Sequence, residues 1–444
     1  MSRAVELVEL ALDLVGRRGE AEARATVGNL ALTRFANSFI HQNVAEDSET
    51  LWVRVTVEGA TASAATTNLD REALEAFVDD LVAAARLRPA DPDWPGLAPP
   101  AVPPAVDHHD EATERAEPRE RAERVRGFVD AGGGETLAAG YCETTGGEVA
   151  FANTAGQHLR GRSSQAVLDG IHTLDGAAGS GHGCAASLAG IDVAAVASLA
   201  VDRARLGRNP RSLEPGEYEV VLAPECVATI AVFLAYYGFN AKLALEGQSF
   251  AELGVTQFDE AFSMWDDVTD DRALGVPFDA EGTPKRRVDF VRDGTTVGLA
   301  HDRRTAAKMG VESTGHHVPG SETMGPFPTN VFVGEGDRSP EALVAEVERG
   351  LYVATFNYCR VLDPKTVSVT GLTRNGTFLV EDGRIVGAVE NLRFTQSFLE
   401  ALAPGRILGV GDDGRFADSE FGPGMMHVPS LRLARWRFTG GASG

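Results

Sequence analysis

The stretch KTVSVTGLTRNGTFLVEDGRIVGAV, residues 365–389, consists of short apolar runs separated by glycine turns. Its dipeptides Asn375-Gly376 and Asp382-Gly383 accept positive φ angles, so each predicts a β-hairpin. Asp293-Gly294 gives the same signal within RRVDFVRDGTTVGLA, residues 286–300. Because many such strands follow one another, we expect the C-terminal half to form a large antiparallel or mixed β-sheet domain with few helices.

The N-terminal half combines helical and strand patterns. Leu51, Val53 and Val55 alternate with other residues, which predicts a strand with one buried face. The motif Phe35-Ala36-Asn37-Ser38 has an echo in Phe151-Ala152-Asn153-Thr154, and in both places strands and then a helix follow. We interpret the echo as a duplicated strand-strand-helix unit, with a chance match of four residues as the alternative. The chain is thus expected to be an α+β protein with an α/β N-terminal region.

These patterns divide the chain into four segments. Seven prolines lie in residues 89–104, and proline fixes φ and donates no ladder hydrogen bond, so we expect an extended crossover or linker there. A charged helix is expected after it. The predicted segments are an N-terminal α/β domain at 1–88, the proline-rich crossover with its charged helix at 89–134, a second α/β segment at 135–210 and the β-rich C-terminal domain at 211–444.

Composition limits the classes of partner. The 444 residues carry a formal net charge of −23, and so acidic a surface repels nucleic-acid phosphates and anionic lipids. We therefore expect no nucleic-acid and no membrane partner, with solubility as the simplest reason for the acidity. The four cysteines form no CxxC pair, which disfavours a disulfide framework or a zinc knot. Neither a signal-peptide pattern nor an apolar run of about 20 residues occurs, so a cytoplasmic protein is expected.

Histidines and cysteines are the first candidates for chemistry. His316 and His317 follow the turn Ser313-Thr314-Gly315, but neighbours on an extended chain point to opposite faces, so the two rings are not expected to share a metal ion. His182 and Cys184 could pair as base and nucleophile, but no carboxylate close in sequence orients the ring, and a flexible loop is favoured. No HExxH, GxSxG or phosphate-binding glycine loop is present. Residue patterns alone therefore give no complete catalytic constellation.

Longer motifs connect the chain to a known family. The segment PFDAEGTPKRRVDFVRDGTTVGLAHDRRTAAKMGVESTGHH, residues 277–317, resembles the TldD/PmbA family of peptidases, as do NLRFTQSFLEAL at 391–402 and TRFANSFIHQN at 33–43. The resemblance extends over nearly the whole chain. It implies a cytoplasmic assembly of two related subunits. One resembles a zinc peptidase, whereas the other, called TldE or PmbA, lacks the full set of metal ligands.

The resemblance also implies that the zinc ligands of the peptidase subunit lie on a helix bearing HExxxH and at a cysteine near the C-terminus. In this chain the helix is VATIAVFLAYYGFN, residues 227–240, and the neighbourhood of the cysteine is FGPGMMHVPS, residues 421–430. Zinc requires three nitrogen, sulfur or oxygen donors. Around Ala231 to Tyr237 this helix carries only apolar and aromatic side chains, and His427 alone cannot hold a zinc ion. The degenerate positions of the metal helix are Val232, Phe233, Tyr236 and Tyr237.

These departures place the chain in the TldE/PmbA branch, with neither a catalytic residue nor a metal ligand of its own. We expect the non-catalytic subunit of a TldD/TldE-type zinc metallopeptidase complex that degrades or trims flexible peptides, with zinc in a TldD-like partner subunit. A stand-alone homodimeric protein that binds unfolded peptides or a protein client is the alternative, and a hydrolase using Cys184 or Cys226 is a third. The candidates for a peptide groove or an interface are Ser313, Thr314, Gly315, His316, His317, Arg374, Asn391 and Arg393.

Overall fold

The structure is a computed structural model that describes residues 1–441. Its N-terminal half contains a helix-strand-strand-strand-helix unit twice. In the first unit, alternate strand residues such as Ala23, Leu51 and Val53 are buried because they pack against the apolar stripes of two helices. The predicted burial of one strand face is confirmed. The elements of this unit are α1 (Arg3–Val15), β1 (Glu20–Ala36), β2 (Phe39–Val57), β3 (Ala60–Thr66) and α2 (Arg71–Arg86).

A second unit of the same order completes the N-terminal sheet. It contains α3 (Glu111–Glu114), α4 (Pro118–Asp130), β4 (Leu137–Asn153), β5 (His158–Leu174), β6 (Ala177–Ala185), a 3-10 turn at Leu188–Gly190 and α5 (Val193–Leu206). β4 lies antiparallel to β1 at the centre of a six-stranded sheet with the order β3-β2-β1-β4-β5-β6. The two echoed motifs occupy corresponding places, each at the turn between the first and second strand of its unit. Each unit has three strands before its last helix, which is one strand more than the predicted strand-strand-helix pattern.

The proline-rich crossover between the two units is bound to its surroundings. The side chain of Asn153 donates a hydrogen bond of 2.8 Å to the carbonyl oxygen of Ala98. The side-chain amide of Gln157 donates to the carbonyl oxygens of Ala101, at 3.2 Å, and Gly282, at 3.1 Å. Because Gly282 belongs to the C-terminal half, Gln157 links the sheet, the crossover and the C-terminal domain. The four segment boundaries stay a prediction.

The C-terminal half consists of one long apolar helix, short helices and many strands. Its elements are β7 (Gly216–Leu222), α6 (Pro224–Tyr237), α7 (Ala241–Leu245), β8 (Met264–Asp266), β9 (Val288–Arg292), β10 (Thr295–Thr296), α8 (Arg303–Met309), α9 (Ser321–Met324), β11 (Val331–Val333), α10 (Pro340–Ala345), β12 (Arg349–Asp363), β13 (Ser368–Glu381), β14 (Arg384–Ala388), β15 (Leu392–Ser397), α11 (Phe398–Ala401), β16 (Ile407–Val410), β17 (Arg415–Ser419), β18 (Gly422–Val428) and β19 (Leu431–Gly441).

These strands form two mixed sheets. One has seven strands in the order β12-β7-β19-β15-β13-β14, with β16 beside β19, and a further pairing of β12 with β13 closes a ring of strands. The other has six strands in the order β10-β9-β8-β11-β18-β17. Among the paired strands of these two sheets within residues 1–441, β7–β12 and β11–β18 run parallel and the others antiparallel. The predicted α+β architecture with an antiparallel or mixed C-terminal sheet is confirmed.

Two of the three predicted hairpins are present. Asp293-Gly294 connects β9 to β10, and Asp382-Gly383 connects β13 to β14. The hairpin predicted at Asn375-Gly376 is wrong, because these residues lie inside β13. Asn375 has a φ of 55° and Gly376 a φ of 135°, and they lie where the pairing of β13 with β12 shifts register. A bulge uses the same positive φ as a hairpin turn, so the dipeptide does not distinguish the two.

α6 is the centre of the C-terminal core. Its residues from Pro224 to Ala235 are buried on every side of the helix, because it packs against β7 and β12 of one sheet and β17 and β18 of the other. Proline at its first position and Gly238 after its last residue set its ends. Among residues 1–441, no helix is long and apolar enough to cross a membrane.

Candidate functional site

The two segments that the family resemblance connects with metal binding meet in the structure. α6 carries the degenerate positions, and the hairpin of β17 and β18 packs against it. Val232 and Phe233 are buried, at 0% and 3% exposure, whereas Tyr236 and Tyr237 are half-buried. The end of a helix and the turn of a hairpin thus form the site.

Aromatic rings fill the space between these segments. The ring centroid of Phe233 lies 6.0 Å from that of Tyr237 and 5.8 Å from that of Phe421. The ring of Tyr236 lies 4.8 Å from Tyr237 and 6.0 Å from Phe327. We call Phe233, Tyr236, Tyr237, Phe327 and Phe421 the aromatic cluster. Because Phe421 is 51% exposed, the cluster reaches from the core to the protein surface.

The aromatic cluster does not supply the donors that zinc requires. Its phenylalanines have no donor atom, and burial raises the pKa of Tyr237, which disfavours the phenolate that would bind a cation. Glu225, in the first turn of α6, is paired with Arg415, at 2.8 Å, and with Arg203, at 3.6 Å. Within the part of the chain that the structure describes, no group of three or more His, Cys, Asp and Glu side chains is arranged to hold a metal ion. The residues present therefore do not fit the zinc site of a peptidase subunit.

His427, the one histidine of the C-terminal segment 421–430, is a core residue. Its ring centroid lies 5.2 Å from that of Phe332 and 5.3 Å from that of Phe416. Burial lowers its pKa to about 4, so the ring is neutral at physiological pH. His427 therefore packs among aromatic rings.

Hydrogen bonds to the backbone of His301 fix the turn Ser313-Thr314-Gly315. The backbone N–H of His301 donates to Thr314 Oγ1, at 2.7 Å, and the Ser313 hydroxyl donates to the His301 carbonyl oxygen, at 3.2 Å. Gly315 has a φ of 76°, and a Cβ atom there would lie 2.8 Å from the carbonyl oxygen of Pro284. The turn thus requires glycine for conformation and for space.

His316 and His317 contact different groups. The Nε2 atom of His316 lies 3.2 Å from Asp266 Oδ1. The Nδ1 atom of His317 lies 3.6 Å from Glu281 Oε2 and 3.8 Å from Asp302 Oδ2, which are ion-pair distances rather than hydrogen bonds. The two rings thus do not meet at one ion-binding position. Their contact with a peptide stays a prediction.

His317 is the centre of a buried group of charges. Burial lowers the pKa of His317, but Asp302, Glu281 and Asp279 outweigh that effect and raise the pKa to about 9. Burial, together with the neighbouring Asp279, raises the pKa of Glu281 to about 8. At neutral pH His317 is therefore a cation, and Glu281 is largely protonated.

The remaining candidates lie in other parts of the structure. Arg374 and Asn391 line a cavity of about 590 Å³ that β13 forms with the hairpin of β5 and β6. Arg393 is exposed on β15. Ser313 and His317 line two other cavities. The structure thus does not gather all the candidates at one site, and their role in peptide binding stays a prediction.

His182 and Cys184 lie on a strand, and the flexible loop predicted there is wrong. Both belong to β6, whose pairing with β5 gives regular structure to a glycine-rich sequence. Burial raises the pKa of Cys184 to about 12 and that of Cys226 well above its ordinary value. Because the thiolate is the nucleophilic form, neither cysteine is activated for hydrolysis.

Sequence reasoning also missed a carboxylate beside His182. Asp169 Oδ2 lies 3.1 Å from His182 Nδ1, because these residues face each other across β5 and β6. Asp175-Gly176 connects the two strands, and Asp169 and His182 are equally far from that turn in sequence. Treating Asp175-Gly176 as a hairpin signal would have predicted the pair.

Comparison with family models assigns two regions of the chain. The model described as the PmbA/TldA metallopeptidase C-terminal domain matches residues 215–440, which is just over half of the chain. The model described as PmbA/TldA metallopeptidase domain 1 matches residues 21–85. The first region contains α6, the aromatic cluster and the turn at 313–315.

Curated relatives carry metalloprotease names. The chain is 26% identical over 220 residues to a metalloprotease of Methanothermobacter thermautotrophicus, covering 48% of this chain and 47% of that protein. It is 26% identical over 219 residues to a metalloprotease TldD homolog of Buchnera aphidicola, covering 48% of this chain and 44% of that protein. The alignments thus span about half the length of these relatives.

A solved structure has the same fold. The crystal structure of TldE from Thermococcus kodakarensis superimposes with a TM-score of 0.87 at 17% sequence identity. The match covers 98% of this chain and 99% of that one. The likeness therefore extends over both halves of the fold.

Proposed function

This chain belongs to the PmbA/TldD metallopeptidase family, and from that premise we propose that it is the non-catalytic subunit of a TldD/TldE-type zinc metallopeptidase complex. The complex degrades or trims flexible peptides in the cytoplasm. Zinc and catalysis belong to a partner subunit with an HExxxH helix. The present chain contributes a wall of the reaction chamber and contacts to the peptide.

The observation that carries the proposal is the aromatic cluster at the end of α6. A catalytic zinc site needs three protein ligands and an open position for water or substrate. Phe233 is 3% exposed, and its ring packs against the rings of Tyr237 and Phe421. Side chains of this kind neither polarise a carbonyl group nor activate a water molecule. In this chain, the residues at the degenerate positions of the metal helix therefore contribute to packing rather than to metal binding.

The exposed end of the cluster supports a role in assembly. Phe421 is 51% exposed and Tyr358 is 66% exposed. Glu420, next to Phe421, accepts a 2.7 Å hydrogen bond from Arg360, and the guanidinium carbon of Arg360 lies 4.5 Å from the Tyr358 ring centroid. Exposed aromatic and arginine side chains are enriched at protein interfaces. We call Tyr358, Arg360, Glu420 and Phe421 the aromatic surface and propose that it meets the partner subunit.

A stand-alone homodimeric peptide-binding protein is the second candidate function. The aromatic surface suits a second copy of this chain as well as a related subunit, because both would bury the same exposed rings. A cell that has no relative with an HExxxH helix would favour this alternative. In that case the chain binds peptides without cleaving them.

Metal analysis and peptide cleavage test the two candidates. The chain alone, its HExxxH relative alone and the mixture are each purified, and zinc content and cleavage of an unfolded peptide are measured. We expect substoichiometric zinc in this chain, about one zinc per relative, and cleavage that needs both chains. Stoichiometric zinc bound to this chain alone would contradict the proposal, and a stable homodimer that never binds the relative would favour the alternative.

Cysteine variants serve as the control in the same assay. Cys184→Ser and Cys226→Ser are expected to leave cleavage by the mixture unchanged, because burial keeps both thiols protonated. Loss of cleavage in a folded Cys184→Ser complex would instead support the cysteine-hydrolase hypothesis.

A further inference from the structure

The N-terminal sheet has a polar face outside the aromatic cluster. The small residues of β1, which alternate along the strand, face α1 and α2. The residues that lie between these small residues in the sequence of β1 therefore point to the opposite face of the sheet. Cross-strand pairing places Arg24 beside Trp52 and Glu22 beside Arg54. The C-terminal domain around His317 covers this face and leaves a cavity of about 540 Å³, a volume in the range of small-ligand sites. We call it the junction cavity.

Positive charge predominates in the lining of the junction cavity. Arg54 is in an ion pair with Glu22, and Arg304 with Asp91. Arg88 donates a hydrogen bond of 3.1 Å to the carbonyl oxygen of Thr61, and Arg24 interacts electrostatically with Asp279. The charged residues that line the cavity are Arg24, Arg54, Arg88, Arg304, His317 and Glu322.

Arg54 is held at the edge of the junction cavity by aromatic rings and carboxylates. It is 8% exposed, and its guanidinium carbon lies 5.0 Å from the ring centroids of both Trp52 and Trp94. Its Nη2 atom has no hydrogen-bond partner, and Glu322 Oε1 lies 3.5 Å away without the geometry of a hydrogen bond. Buried polar atoms in native proteins are nearly always hydrogen-bonded. Within the chain, the charge of Arg54 is met only by the carboxylates of Glu22 and Glu322 at ion-pair distances.

We propose that the junction cavity binds the free C-terminal carboxylate of a peptide. Guanidinium groups bind carboxylates through pairs of charge-assisted hydrogen bonds, and Arg24 and Arg54 are diagonal neighbours on adjacent strands that line the cavity. Thr26 and Thr50 add hydroxyl groups for the peptide backbone, and Trp52 adds an apolar surface for the last side chain. The proposal rests on the proposed function in one respect, namely that the ligand is a peptide.

Acidic groups also lie at the junction cavity. Glu22 lies 3.3 Å from the Arg54 Nε atom, and Glu322 lines the cavity. A bound anion therefore meets repulsion from these carboxylates as well as attraction from the arginines. Burial lowers the pKa of Arg24, because its charged guanidinium group is partly removed from water. A bound anion would offset this cost of desolvation.

Calorimetric titration of the chain alone tests the proposal. The probes are acetyl-Ala-Ala-Phe with a free carboxylate, the same peptide with a C-terminal amide, and inorganic phosphate. We expect the acid to bind about tenfold or more tightly than the amide, the effect of one charge-assisted hydrogen bond. Arg24→Gln and Arg88→Gln are expected to weaken binding of the acid. Arg119→Gln, exposed on α4, is the matched control and should bind like the unaltered chain.

Circular dichroism confirms that each variant is folded before its titration is interpreted. Equal binding of acid and amide, no binding of the acid, or an Arg24→Gln variant that binds normally overturns the proposal. Binding of phosphate without binding of the acid also overturns it, because the site then takes inorganic anions. Binding of the acid by the chain alone, together with failure of cleavage in the mixture with its relative, would leave the cavity proposal standing and refute the proposed function.

Discussion

His317 shows how one buried side chain makes this fold sensitive to pH. Its pKa of about 9 lies above the ordinary histidine value of about 6.5. The charged ring therefore stabilises the folded state fully below about pH 6.5, and this stabilisation is lost as the pH rises through 9. Glu281, with a pKa raised to about 8, acts in the same direction because the folded state favours its protonated form.

The substitution His317→Gln is expected to lower the free energy of unfolding more at pH 6 than at pH 8. The difference between the two chains should shrink by on the order of 2 kcal/mol over this interval, because the unaltered folded state holds the extra proton of His317 there. Urea unfolding at both pH values measures it, with His41→Gln, at an exposed position, as control. A difference independent of pH would show that folding does not raise the pKa of His317.

Residue types at α6 bear on metal binding without reference to the fold, whereas the junction cavity depends on the fold. Val232 and Phe233 have no donor atoms in any fold, so the missing ligand set follows from the sequence alone. The junction cavity does not, because Arg24 and Arg54 come together only through the register of β1 and β2, and their other wall comes from residues near His317. Long-range pairing of this kind leaves no local pattern in the sequence.

Among the elements, the turn after α8 depends on a close approach to another segment. Gly310, which ends α8, has a φ of 68°, and a Cβ atom added there would meet no other atom within 4 Å. Gly315 has a similar φ of 76°, but a Cβ atom there would lie 2.8 Å from the Pro284 carbonyl oxygen and 2.9 Å from Lys285 Cα. Comparing substitutions at these two glycines therefore distinguishes the effect of backbone conformation on stability from the effect of close packing.

The substitution Gly315→Ala is expected to destabilise the protein more than Gly310→Ala does. Both place alanine in the left-handed region, but only the first also forces backbone atoms apart, which adds roughly 1–3 kcal/mol. Denaturant unfolding of the two variants measures the difference. Equal losses of stability would mean that the segment at 284–285 moves aside freely.

Strands and turns could be predicted from the sequence where a local residue pattern is compatible with only one backbone structure. The alternation around Val53 can be satisfied only by a strand with one buried face, and Asp382-Gly383 lies between two runs of strand residues. Asn375-Gly376 carries the same signal but lies inside β13, since a bulge and a hairpin both use positive φ. Which of the two forms depends on the pairing with β12, and that pairing is not encoded locally.

For the molecule as a whole, the aromatic surface is the feature that we propose to meet the partner subunit. Phe421 and Phe39 are both exposed, at 51% and 58%, yet they lie in different settings. Phe421 belongs to the aromatic cluster beside α6, whereas Phe39 begins β2 in the N-terminal sheet. Because the two side chains are similarly exposed, comparing substitutions at Phe421 and Phe39 tests whether association depends on the aromatic surface in particular.

The substitution Phe421→Ala is expected to weaken association with the HExxxH relative, or self-association if the chain is a homodimer, by about tenfold or more. Phe39→Ala is expected to leave association unchanged. Phe39→Ala should change the free energy of unfolding by no more than about 1 kcal/mol. Phe421→Ala also loses its ring contact with Phe233, so its folding is confirmed before association is measured. Sedimentation velocity over a concentration series measures the effect, and equal weakening by both variants would refute the assignment of the aromatic surface.

The burial of α6 also restricts which sequences can be reached from this one. A histidine at Phe233 would enter a space bordered by the rings of Tyr237 and Phe421, and zinc requires three donors together. A single substitution by a metal-binding residue would remove contacts between aromatic rings, and it would not by itself create a site that binds zinc. Single substitutions in this interior would therefore each lower stability without creating a zinc site, and only several simultaneous substitutions could do so.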